Sequence, residues 1–348
     1  MEIRSHTSLR GIAALLVVVH HYRFLLSAEF PPDYFTLFFD NARYLVDFFF
    51  MLSGFIIAHV YSTNTGNMGR SEMGRFYLNR LARLYPLHVL TLFWTLLLAS
   101  YFNGGVDKFL VPLLHNLFLV QAWGLESQYV LNFPSWSISG EFAAYLVFPL
   151  LAFIVHRGQL AAFALAAVSL GVIITYDVLV QTEAITWERI ALLRALPGFA
   201  LGVILYSLRH TVTSVEGSAI SIFQVVAVAC LVGLMHFATH LSLFIPVFGA
   251  IILLTWQDRG MLSALLAHPW LQWLGVLSYT IYMMHIPVRT TWSYAWPKVS
   301  WWVPESIDGI MLFTTCFALT LILSAFVYRL FELPARNAIR SFRRLKTT

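Results

Sequence analysis

Ten apolar runs, near 9–27, 44–62, 84–102, 136–156, 160–177, 188–208, 220–237, 240–257, 271–291 and 309–331, divide the 348-residue chain and leave no soluble-length stretch between them. Each is close to the roughly 20 residues that carry a helix across the hydrocarbon core of a bilayer. The expectation is an all-α polytopic membrane protein: about ten transmembrane helices in a single bundle, one domain over 1–348. A mean hydropathy of +0.73 with only 11 % charged residues agrees, since soluble domains carry about a quarter charged residues. No linker, low-complexity block or repeat of fixed period interrupts the pattern.

The stretch 107–123 is apolar but shorter and broken by Pro112, His115 and Asn116, so it reads as a re-entrant or interfacial helix. The basic residues support that choice, because short cytoplasmic loops carry the positive charge. With ten spans and both termini cytoplasmic, Arg4, Arg10, Arg70, Arg75, Arg80, Arg83 and the basic tail at about 332–348 share one side. An eleventh span would send that tail outside. A net charge of +5 beside a final span fits anionic membrane lipids, and a nucleic-acid partner is not expected. The first apolar run lacks an A-x-A-like cleavage site and is kept as the first helix. Cys230 and Cys316 fall inside spans without metal-ligand spacing, and no metal is expected.

Ionisable residues within spans are costly and usually face the bundle interior, so each is a functional candidate. In LRGIAALLVVVHHY, Arg10 and His21 are eleven residues apart and differ by only about 20° around a helix, whereas His20 lies about 80° from Arg10. Arg10 then marks the cytoplasmic entrance of a polar path, with His21 about 16 Å further out. By spacing alone, a snorkelling Arg10 and an interfacial His21 fit as well. In RLARLYPL, Arg80 and Arg83 at i, i+3 share a face and suit bidentate phosphate binding, though two topology anchors would look the same.

In SWSISGEFAAYLVFP, which also carries Trp136, the residues Ser137, Glu141 and Tyr145 form a polar stripe at four-residue spacing. Glu141 is expected near the outer surface, where it would pair with His21 and orient the ring as a general base. The other reading of Glu141 is a helix-start carboxylate on the dipole. Ser278, Tyr282 and His285 share a face of a later span, and Asp47 opens the second. Four helices thus bring His21, Asp47, Glu141 and His285 to one outer level, with Arg10, Arg80 and Arg83 at the opposite end.

These blocks, together with VDFFFMLSGF, LGVLSYTIYMMH and the closing FELP, resemble in order and residue type the membrane-bound acyltransferase 3 family, from Leu9 to Arg336. The resemblance implies a ten-helix bundle and acyl transfer from a cytoplasmic acyl-CoA donor, acetyl-CoA in the first instance, to a hydroxyl of an extracytoplasmic glycan or lipid-linked sugar. It implies that Arg10 and His21 are the essential pair, that Arg80 and Arg83 hold the donor, and that Glu141 belongs to the Trp-Ser…Glu block. The chain departs from the family in carrying His20 before the catalytic-type histidine and SGEFAAY where many members read SVEEQFY. Larger members carry a fused soluble hydrolase-like domain; none follows here, so the chain is expected to act alone or with a separate extracytoplasmic partner.

The expected catalytic set is therefore Arg10, His21 and Glu141, with Asp47, Trp136, Tyr145, Ser278, Tyr282 and His285 lining the substrate path. His21 activates the acceptor hydroxyl and a donor such as Tyr282 steadies the oxyanion; an acyl-histidine intermediate fits the same residues. The expected location is the plasma (inner) membrane of a bacterium. A transporter or flippase for a lipid-linked sugar is the alternative, since a polar path with charged ends also serves conduction.

Overall fold

A computed structural model describes residues 2–26, 37–61 and 69–342. Among them there are helices and no strands. The long elements are α1 (Arg4–Tyr22), α2 (Leu45–Tyr61), α3 (Arg70–Asn103), α4 (Leu110–Leu117), α5 (Trp136–His156), α6 (Gln159–Gln181), α7 (Leu192–Leu208), α8 (Gly217–Phe237), α9 (Leu241–Thr255), α10 (Pro269–Val299), α11 (Asp308–Val327) and α12 (Leu333–Phe342). A π-turn, Tyr328–Glu332, joins α11 to α12. Arg343, Arg344 and Lys346 of the basic tail lie outside the described residues.

Each of the ten apolar runs falls on a long helix, and eight of these are long and apolar enough to cross a membrane. The other two depart for separate reasons. Helix α9 has 15 residues, about 22 Å, short of a ~30 Å hydrocarbon core. Helix α10 is long enough at 31 residues but carries Gln272, Ser278, Thr280, Tyr282, His285 and Arg289. The chain is an all-α polytopic membrane protein. The stretch at 107–123 forms a short 3-10 turn, Asp107–Phe109, the eight-residue α4 and a chain of turns, too short to span.

Two pairs of parallel helices form the centre, α1 against α10 and α2 against α7. Lipid tails are as apolar as leucine, so helices associate in a bilayer where small residues let backbones touch. A Cβ on Gly275 would lie 2.0 Å from the Thr7 carbonyl oxygen, and one on Gly202 1.9 Å from that of Met51. The α1–α10 register then repeats along the pair: Gln272 donates to Ser8 Oγ at 2.6 Å, Gly11 meets Gly275, and His21 reaches His285, with the same offset at all three.

Polar caps fix the helix ends. Asp258 accepts from the backbone N–H groups of Arg4 and Ser5 at 3.0 and 2.7 Å, serving the first turn of α1. Asp177 on α6 does the same for Leu241 and Ser242 at the start of α9, at 3.0 and 2.8 Å.

The segment between α4 and α5 is buried at both its ends, while Trp123, Leu125 and Val130 between them are exposed. Leu119, Gln121, Ala122, Asn132 and Ser135 are all buried there. Asn132 donates to the Met283 carbonyl at 3.1 Å and to Thr91 Oγ1 at 3.0 Å, and Gln121 donates to the Ser135 carbonyl at 2.9 Å. Buried backbone at this depth requires such partners. Helix α5 consequently begins level with the middle of α10.

Candidate active site

Two cavities lie along the α1–α10 pair. The first is lined by Arg10, Arg80 and Arg83 with Ser53, Ser137, Glu141, Ser278, Tyr279 and Tyr282. The three guanidinium groups come from α1 and α3. Among the described residues none of them forms a salt bridge, and the Nε atoms of Arg10 and Arg80 are buried without a hydrogen-bond partner. Unpaired guanidinium groups converging on a cavity favour a polyanionic ligand, because its phosphates would supply the acceptors the protein withholds.

The second cavity is lined by His20, His21, Phe133, Trp136, Tyr176, Trp187, Arg194 and Tyr282 among others. Phe133, Trp136 and Trp187 form a cluster, with ring centroids 5.4 Å apart for Trp136–Trp187 and 5.9 Å for Phe133–Trp187. Val46 and Tyr282 line both cavities, so one wall separates them. At that wall Tyr282 donates to the Pro134 carbonyl at 3.1 Å and accepts from Ser137 at 2.8 Å. With its proton on Pro134, Tyr282 has none free for an oxyanion in this arrangement.

His21 pairs with His285 across 3.1 Å, and Arg289 donates to the His21 carbonyl at 2.7 Å. His20 also lines the second cavity, but its Nδ1 lies 2.8 Å from the Phe39 carbonyl and 3.1 Å from the Arg23 guanidinium, away from α10. His285 is fully buried behind His21.

One placement expected from the sequence is corrected. Glu141 does not stand beside His21. It lines the arginine cavity, accepting from Ser53 at 2.8 Å and from Tyr145. The reason is the buried start of α5: Pro134 is already level with Tyr282, and Glu141 lies seven residues further on, about 10 Å deeper. Asp47 pairs with Arg194, which lines the same cavity as His21. It is 1 % exposed and held bidentately by Arg194, at 3.0 Å from Nε and 2.5 Å from NH2.

Arg194 and Arg289 were not singled out by sequence reasoning, although an arginine within an apolar run is the signal that marks one. Arg194 also lies over the Trp136 ring at 4.9 Å and so joins α2, α5 and α7 at the second cavity. No group of three or more metal-ligating side chains occurs among the described residues.

A family model described as an acyltransferase domain matches residues 6–329, which include every residue lining either cavity. The chain belongs to the membrane-bound acyltransferase 3 family. Relatives of this acyltransferase 3 chain include the acyltransferase MdmB of Streptomyces mycarofaciens, 37 % identical over 30 % of the chain and 27 % of MdmB. The peptidoglycan O-acetyltransferase OatA of Listeria monocytogenes is 21 % identical over 96 % of the chain and 56 % of OatA. YrhL of Bacillus subtilis, named as a peptidoglycan O-acetyltransferase, is 25 % identical over 80 % of the chain and 47 % of YrhL. The chain thus spans little more than half the length of these relatives at most. No solved structure matches it.

Proposed function

We propose that this acyltransferase 3 protein is a membrane O-acyltransferase that moves an acyl group, acetyl in the first instance, from cytoplasmic acyl-CoA to a hydroxyl of an extracytoplasmic glycan or glycan precursor. The observation that carries this reading is the pair of cavities sharing the Val46–Tyr282 wall, one with three arginines free of salt bridges and the other with His21. A polyphosphate donor suits the first, and its thioester arm would reach through that wall. An acceptor sugar suits the second, where aromatic faces and polar groups mix.

In the step proposed, the His21 imidazole takes the acceptor hydroxyl proton as the oxygen attacks the thioester carbonyl carbon. A C–O ester bond forms, the C–S bond breaks, and CoA leaves as a thiolate that receives the proton from His21. The thioester supplies the driving force, so the step requires neither a metal nor nucleotide hydrolysis. Arginines at the cytoplasmic mouth agree with the positive-inside rule. The names of OatA and YrhL make peptidoglycan the first acceptor to try. A bacterial plasma membrane is the matching location, with anionic lipid at the basic tail, and a separate extracytoplasmic partner would be needed only if the ester must be passed on.

The test is incubation of membranes with radiolabelled acetyl-CoA, followed by recovery of label as a base-labile ester on glycan. Deleting the gene should remove that ester without shortening the glycan backbone. Unchanged esters with loss of exported polymer would overturn the reading in favour of a flippase.

A further inference from the structure

The hydrogen bonds around His285 determine which nitrogen of each paired ring carries a proton. His285 Nδ1 lies 2.5 Å from the Tyr282 carbonyl oxygen, and a carbonyl only accepts. Nδ1 therefore holds the hydrogen, and Nε2 of the neutral ring is a bare acceptor. That Nε2 faces His21 Nδ1 at 3.1 Å, and the Val17 carbonyl faces the same Nδ1 at 3.0 Å. Both neighbours accept, so His21 carries its hydrogen on Nδ1. Its Nε2 is left with a free lone pair, with no hydrogen-bond partner among the described residues.

We propose that His285 is a positioning residue for acyl transfer: by accepting from His21 Nδ1–H alongside the Val17 carbonyl, it helps to hold His21 in the tautomer whose Nε2 is free for the acceptor hydroxyl. This rests on the reading of His21 as the base. When His21 Nε2 takes the hydroxyl proton, the imidazolium keeps its Nδ1–H bond and no group has to turn. The role resembles that of the carboxylate in a hydrolase triad, which orients the base without taking its proton. Here a neutral imidazole does it, in a region whose nearest fixed charges are mostly cationic: Arg289 on α10, then Arg23 and Arg43 with Asp40 beside His20.

His285 is itself held on two further sides. The Tyr22 hydroxyl donates to its backbone carbonyl at 2.7 Å and meets Thr320 of α11 at 2.7 Å. The constant α1–α10 register brings the two rings together at the same offset as Ser8 and Gln272. Its Nδ1 is thus anchored to its own helix, and its Nε2 is presented to His21.

The test combines a spectrum with kinetics on the full chain in bilayers. With 15N-labelled histidine, the His21 signal is identified by its absence in His21→Ala. Wild type should show His21 protonated at Nδ1 and bare at Nε2, and His285→Leu, left with the Val17 carbonyl as the one acceptor at Nδ1, should show a larger share of the Nε2-protonated tautomer. His285→Leu should lower kcat by about 100-fold with the acyl-CoA KM unchanged, and His285→Gln, whose amide oxygen accepts, should return to within about tenfold of wild type. If His285→Leu does not fold, the wild-type spectrum and His285→Gln decide. His21 protonated at Nε2 in a wild type that transfers acyl groups, or wild-type kcat in His285→Leu, overturns the proposal. A wild type that transfers nothing from acyl-CoA overturns the acyl-transfer reading instead.

Discussion

Ser137 donates to the Tyr282 hydroxyl across 2.8 Å and so ties α5 to α10 at the wall shared by both cavities. Because Tyr282 gives its own proton to Pro134, its ring matters here more than its acidity. Tyr282→Phe is expected to cost about 1 kcal/mol of stability and to retain transfer. Tyr282→Trp, which overfills the wall, should keep donor binding and lose transfer. Thermal unfolding, donor binding and CoA release measured on both variants check this, and loss of transfer in Tyr282→Phe would contradict it.

Glu141 sits among arginines rather than beside the base, which reverses the expected effect of neutralising it. Removing a negative charge from a cavity that binds phosphates should strengthen donor binding. Glu141→Gln is expected to lower the acyl-CoA KM by roughly threefold to tenfold, a Coulomb term at intermediate dielectric. A fall in kcat at constant KM would place Glu141 in the chemistry instead.

Arg80 and Arg83 come from one face of α3 and enter the same cavity. Lysine keeps their charge and their topology signal but loses the planar fork that grips a phosphate. Arg80→Lys and Arg83→Lys should each raise the acyl-CoA KM with kcat retained, as read from initial rates over a range of donor concentration. Unchanged KM in both would leave these residues as anchors only.

The Asp47–Arg194 pair is buried on both sides, with side-chain exposures of 1 % and 7 %. Removing one partner leaves a charge without compensation, which typically costs about 3–5 kcal/mol, whereas replacing both by apolar residues is often near neutral. Asp47→Leu or Arg194→Leu should therefore destabilise strongly, and the double variant should recover much of the loss. Chemical denaturation in detergent tests the cycle; additive losses would contradict it.

Gly275 allows α10 to touch α1, with the site of a Cβ 2.0 Å from the Thr7 carbonyl. Gly275→Ala forces the helices apart or shifts their register, an overpacking cost of about 1–3 kcal/mol. The His21–His285 pair lies ten residues further along the same register, so transfer should fall although no cavity-lining residue has changed. A variant of normal stability and activity would show that the contact relaxes locally.

The sequence by itself determined the elements. Runs of about 20 apolar residues form helices in lipid because the backbone must satisfy itself, and all ten runs lie on helices for that reason. Helical periodicity likewise placed Arg80 and Arg83 on one face, since that relation spans a single turn. The broken stretch at 107–123 was legible as non-spanning, but its burial against the bundle was not, because its partners His88, Ser135 and Ser139 belong to the neighbouring helix α3 and to the start of α5.

Tertiary structure alone decided the partners and the depths. Hydropathy treats every apolar face alike, so it cannot say which helices adjoin or at what offset. The closeness of Gly11 to Gly275 chose α10 for α1 and gave His21 the imidazole of His285. The buried entry into α5 lowered Glu141 to the arginine cavity, and the approach of α2 to α7 gave Asp47 to Arg194. Each of these relations depends on a register between helices, and a helix in lipid acquires its register only from the side chains it meets.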